Sequence, residues 1–83
     1  MKVLYFAWLR QRIGRAEEQL ELPPDVDTIA KLIDWLKRRD ETYLAAFADL
    51  RVVRAAINQT VVPLDAPLTG AREIAFFPPV TGG

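Results

Sequence analysis

The chain contains neither cysteine nor histidine. Without cysteine there is no disulfide, no thiolate metal ligand and no thiol nucleophile. Without histidine the commonest acid–base group and metal ligand near neutral pH is gone. Carboxylates, lysine or tyrosine would have to carry any catalysis, and no pair of these is spaced for it. An excess charge of either sign is missing as well, since eleven basic side chains balance eleven acidic ones. A neutral domain lacks the broad positive field that attracts nucleic acid or an anionic membrane, which argues against both. The seven-residue apolar run from Val3 to Leu9 is too short to span a bilayer, and no small-residue cleavage site follows it. The four glycines are scattered and GxxxxGK[ST] is absent, so no nucleotide-phosphate loop is expected. A cytoplasmic protein is expected, with chemistry done to the chain rather than by it.

What the chain does have is apolar residues, 51% of its 83 positions. That suffices for one small domain whose core buries about 60–65% of the unfolded surface. Residues 2–9, KVLYFAWL, predict a strand apolar on both faces, with Leu4, Phe6 and Trp8 on one and Val3, Tyr5 and Leu9 on the other. Such a strand is central and covered on both sides, and in so small a domain the second cover can come from a partner. Arg10 to Ala16 reads as a turn, and Glu17 to Leu22 as a second strand hairpinned to the first. The three arginines of that turn, Arg10, Arg12 and Arg15, read as solvated. Pro23-Pro24-Asp25 breaks the chain, and Asp27 or Thr28 can cap a helix carrying the stripe Ile29, Leu32, Ile33 and Leu36. The Lys37-Arg38-Arg39 run suits the negative end of that helix. Leu44 and Phe47 suggest a further helical turn over 41–48. Val52 to Ile57 predicts a third strand, Asn58-Gln59 a tight turn, and Thr60 to Val62 a short fourth strand. After a loop from Pro63 to Ala71, Arg72 to Phe77 predicts a final strand beside the first. The order fits an α+β roll with one main helix across a mixed sheet.

The chain ends Phe76-Phe77-Pro78-Pro79-Val80-Thr81-Gly82-Gly83. Terminal glycines are often mere spacers, but a strand aimed into two prolines is an unusual way to build an idle tail. Two prolines fix φ and donate no hydrogen bond, so the sheet should stop there, leaving a domain over 1–77 and a tail over 78–83. Six extended residues reach roughly 20 Å at about 3.3 Å each, enough to enter another protein's active site. Gly82 and Gly83 carry no Cβ and make the end narrow. The reactive group is read as the Gly83 carboxylate. A carboxylate is a poor electrophile and must first be activated, for instance as an acyl-adenylate made from ATP. Since nothing in the chain looks able to bind ATP, a separate activating enzyme is implied. With no cysteine, sulfur would be carried only as a thiocarboxylate on Gly83.

The FFPPVTGG ending, the strand KVLYFAWLR and the segment Ala56-Ile57-Asn58-Gln59 resemble the MoaD-type sulfur carriers, small subunits of molybdopterin synthase, over essentially the whole chain. The resemblance implies the ubiquitin-like β-grasp fold. It implies a ubiquitin-activating-like adenylyltransferase that spends ATP on Gly83, a sulfur donor, and transfer of that sulfur to cyclic pyranopterin monophosphate in the large subunit, within a heterotetramer. No metal and no permanently bound cofactor are implied. By resemblance Gly83 bears the sulfur, Gly82 passes the narrow channel, and Pro78, Pro79, Val80 and Thr81 form the inserted arm. Phe76 and Phe77 anchor that arm among the partner-binding residues, with Phe77 expected to meet the partner. One departure is the loop Thr69-Gly70-Ala71-Arg72-Glu73, where the family often shows an acidic Asp-Gly-Asp-Glu turn. Alternatives are a diglycine carrier for thiazole, thiolated tRNA or cysteine synthesis, a ubiquitin-like protein modifier, and a passive interaction domain.

Overall fold

The computed structural model describes residues 1–79. Five strands form one mixed sheet: β1 (Lys2–Tyr5), β2 (Glu17–Gln19), β3 (Arg54–Ile57), β4 (Thr60–Val62) and β5 (Glu73–Phe77), in the order β2-β1-β5-β3-β4. The two apolar strands expected at the centre lie there, β1 parallel to β5 with Tyr5 opposite Phe76. All other pairings are antiparallel. Three helices accompany the sheet: α1 (Ala7–Ile13), α2 (Ile29–Arg39) and α3 (Glu41–Ala46).

Helix α2 follows its sequence closely. The Thr28 hydroxyl accepts from the Lys31 amide at 3.1 Å, satisfying one of the orphan donors at the helix start. Ile29, Leu32, Ile33 and Leu36 are all fully buried, each contributing roughly 1.5–3 kcal/mol of apolar burial. In α3, Asp40 caps the Thr42 amide at 2.7 Å. Tyr43, Ala46 and Phe47 turn inward while Leu44 is half exposed. The inward set is spaced i, i+3, i+4, and the helix phase leaves Leu44 off that face.

The predicted strand over 2–9 and turn over 10–16 are corrected. β1 ends at Tyr5, the Phe6 amide makes a last bond to the Phe76 carbonyl at 3.0 Å, and Ala7 turns the chain at φ 55°. From there α1 runs to Ile13, with Leu9 and Ile13, four apart, buried on its inner side. Gly14 ends it at φ 87°, donating to the Arg10 carbonyl at 2.8 Å, a left-handed cap that suits glycine. The strand-forming residue types of 6–9 are overridden by packing of α1 against α3 and β5. β1 and β2 therefore pair antiparallel across a helix rather than a tight turn. β2 stops at Gln19, and Leu20 is buried while Leu22 is partly so. Val52, expected at the head of the third strand, sits in a 3₁₀ turn over Leu50–Val52 capped by Asp49.

Glu18 ties the layers together. Its side chain is only 7% exposed, and one carboxylate oxygen accepts from the Tyr5 hydroxyl at 2.6 Å and the Tyr43 hydroxyl at 2.7 Å. The other faces Arg15 at 3.1 Å and Arg39 at 3.5 Å. The Arg39 guanidinium also lies over the rings of Trp35 and Tyr43. Burial by itself would raise the Glu18 carboxyl, but the hydrogen bonds from Tyr43 and Tyr5 and the two arginine charges hold it below its ordinary value of 4.5. Burial first, and then the bond to Glu18, push both tyrosine hydroxyls upward.

A group depressed in the folded state stabilises above its unfolded value and loses that contribution as pH falls through its folded value. Wild-type protein is therefore expected to lose stability below about pH 4.5, and Glu18→Gln to show a shallower slope there in urea titrations. Glu18→Ala, which strands two buried hydroxyls, is expected to cost about 2–4 kcal/mol at neutral pH.

Candidate functional site

Strand β5 alternates strictly. Ile74 and Phe76 are fully buried on the helix side, and Ala75 and Phe77 point to the other face. The Phe76 ring stacks on Tyr5 at 6.3 Å and meets the edge of Phe47 at 5.1 Å. It is a core residue, and its ring is closed to direct contact with a partner. Of the two phenylalanines expected to bind, only Phe77 is placed to do so. Pro78 and Pro79 follow, both partly exposed, where the sheet ends. Val80, Thr81, Gly82 and Gly83 lie outside the described residues.

Among the described residues no helix covers the second face of the sheet. Leu4, Phe6, Ala56, Val61, Ala75 and Phe77 line a shallow cleft of about 640 Å³ there, with Gln59 and Glu73 also on its boundary. Phe6 is 48% exposed and Val61 66%, two of the four large apolar side chains that the described residues leave in water, and these two share one cleft. An exposed apolar surface of this kind marks an interaction site. Its root is the double apolar pattern of β1 and β5: the helices satisfy one face and leave the other open. Phe6 was legible in that pattern, on one face with Leu4. Val61 was not singled out, and its only signal was alternation in a three-residue strand.

The turn between β3 and β4 borders this cleft and a more polar hollow of about 440 Å³ that Lys2 and Arg72 also line. Asn58 reads from sequence as a turn former and proves to be a staple. Its side-chain amide donates to the Gly70 carbonyl at 3.0 Å, while its oxygen accepts from the Arg72 and Glu73 amides at 2.8 and 3.1 Å. Those bonds hold the loop that departs from the acidic family pattern. The sequence showed the asparagine but not its partners, twelve to fifteen residues away.

Among the described residues no cluster of acidic side chains is arranged to hold a metal ion. The perturbed groups Glu18, Tyr5 and Tyr43 satisfy one another on the helix side and face neither hollow. Arg15 is paired with Glu18, and Arg12 lies over the half-buried Trp8 ring at 5.5 Å. No described helix is long and apolar enough to cross a membrane. What this geometry can do is dock an apolar surface beside the start of a terminal arm.

The chain matches the model of the ThiS family over residues 3–83. It is 40% identical over 83 residues to the molybdopterin synthase sulfur carrier subunit of Escherichia coli strain K12, covering all of this chain and 99% of that one. It is 36% identical, with the same coverage, to the molybdopterin synthase sulfur carrier subunit of Haemophilus influenzae. A solved structure from Pyrococcus furiosus, named as a molybdopterin converting factor subunit 1, superposes with a TM-score of 0.72 at 34% identity over 95% of each chain. The mixed five-stranded sheet with its helices is thus the β-grasp fold that the resemblance implied.

The two phenylalanines differ in what they hold in place. Phe76→Ala is expected to cost about 3–5 kcal/mol in urea denaturation, whereas Phe77→Ala, on the open face, is expected to cost less than about 1.5 kcal/mol. Equal losses would place both rings in the core.

Proposed function

The chain belongs to the ThiS family, as a ubiquitin-like protein of the MoaD type, and on that premise we propose that it is the sulfur-carrier subunit of a molybdopterin synthase. The observation that carries this reading is the 40% identity along the whole chain to a subunit of that name, with the family match running to Gly83. The geometry supports it. A domain with no cysteine or histidine presents an apolar face reaching to Phe77, directly before the two prolines of the arm.

In this reading the partner on the open face is the synthase large subunit, and the assembly is a heterotetramer with one small subunit at each end of a large-subunit dimer. A ubiquitin-activating-like enzyme joins the Gly83 carboxylate to the α-phosphate of ATP and releases pyrophosphate. Hydrosulfide supplied by a donor attacks the acyl carbon and AMP leaves with the electrons of the broken C–O bond, so Gly83 becomes a thiocarboxylate. Val80, Thr81 and Gly82 carry that group into the large subunit, where its sulfur passes to cyclic pyranopterin monophosphate. Water then returns Gly83 to a carboxylate. One sulfur rides on each carrier and a dithiolene holds two, so two charged carriers are used for each product. Catalytic groups and pterin pocket belong to the large subunit, and ATP to the activating enzyme. The site of action is the cytoplasm.

Intact mass provides the first test. Incubation with the activating enzyme, ATP and a sulfur donor is expected to replace one oxygen by sulfur, and deletion of Gly83 to abolish the change. An unchanged mass under conditions that charge a known carrier would reject sulfur carriage. The second test is docking. Phe77→Ala is expected to weaken binding to the large subunit by about tenfold or more, as loss of a buried aromatic anchor does. Undiminished affinity would remove Phe77 from the interface.

A further inference from the structure

The two-residue turn that joins β3 to β4 is closed by the pairing of Ile57 with Thr60, and both of its central residues have positive φ: Asn58 at 49° and Gln59 at 71°. Tight hairpins of this kind favour asparagine followed by glycine, because the second position is left-handed and a Cβ crowds the backbone there. Of the other left-handed positions among the described residues, glycine fills Gly14 and Gly70, and Ala7, at 55°, carries only a methyl group where the chain turns into α1. Asn58 is explained by its tolerance of this region and by its three hydrogen bonds to the loop before β5. Gln59 has no such explanation. It is exposed, and among the described residues its side-chain amide makes no hydrogen bond. A side chain is retained at a strained position where the fold has no use for it, and strain of this kind points to function outside the fold.

Its location supplies that function. Gln59 lies between the two hollows, bordering the apolar cleft that reaches Phe77 and the polar hollow around Lys2 and Arg72. An interface core of apolar residues excludes water but discriminates weakly between partners, whereas a polar group at the rim penalises any partner that leaves it unpaired. A primary amide both donates and accepts, the chemistry that reads a peptide group. Its backbone is already held by the Asn58 staple, so little ordering remains when it binds.

We propose that Gln59 is a specificity-determining contact of the docking face, hydrogen-bonding a main-chain amide or carbonyl of the synthase large subunit at the edge of the apolar cleft. This rests on the sulfur-carrier reading and deepens it. The strained turn is kept because the side chain it carries belongs to the interface.

The test pairs two measurements on Gln59→Gly and Gln59→Ala in the full chain. Titration with purified large subunit is expected to show about three- to tenfold weaker binding for both variants. Thermal unfolding is expected to rise by about 2–5 °C for Gln59→Gly, which relieves the strain, and not for Gln59→Ala, which retains a Cβ. Stability and affinity moving in opposite directions in one variant is the signature, since a residue serving the fold alone would move neither in this way. Wild-type affinity in Gln59→Gly would overturn the proposal, and so would a lowered unfolding temperature, which removes the strain it starts from. Failure of the wild-type chain itself to bind the large subunit would instead overturn the sulfur-carrier reading, and is visible before any variant is made.

Discussion

The parallel pairing of β1 with β5 through the middle of the sheet is the constraint on which the other features depend. It sets Tyr5 opposite Phe76, so that the last core residue before the arm is stacked on a ring which Glu18 holds from the helix side. Because successive residues of a strand point to opposite faces, burying Phe76 places Phe77 on the open face at the strand's end. Core and open apolar face are thereby joined by a single peptide bond. A one-residue slip of this pairing would exchange the two phenylalanines, burying Phe77 and exposing Phe76.

The two faces of the sheet divide the labour. One is closed by α2 and its neighbours over a core that includes Val3, Leu32, Ile33 and Ile74. Its polar groups are fully matched, and no buried side-chain nitrogen or oxygen lacks a partner among the described residues. The other keeps Phe6 and Val61 in water, a cost that a lone domain would be expected to avoid. In a sulfur carrier that cost has a reason. On the proposed function, the domain's contribution is to bring the residues after Phe77 to a partner and hold them there. A ready-made apolar face does this without altering the fold.

Where local pattern and final structure agree, the residues involved interact at short range. The α2 stripe, the Thr28 cap and the Asn58-Gln59 turn all rest on contacts within a few positions along the chain, and each formed as read. Disagreement arises where a distant surface decides. Phe6 to Leu9 carry strand-forming side chains, yet they enter or begin α1 because Leu9 and Ile13 find cover beside α3. Leu44 and Phe47 together suggested the helical turn over 41–48, but the phase that Tyr43 and Phe47 impose leaves Leu44 outside. The pairing of Asn58 with Gly70, Arg72 and Glu73 had no local signal, since these partners lie twelve to fifteen residues away, in the loop before β5 and at that strand's start.

The diglycine ending, the two prolines and the absence of cysteine and histidine are properties of residue types, and they bound the chemistry before any folding is considered. The proposed chemistry draws on these residue types alone, so it was readable from the chain itself. Which apolar residues meet water was decided only in three dimensions. Phe76 and Phe77 are chemically identical neighbours, and their different duties come from the pleat of β5 and from helices that cover one face and leave the other bare.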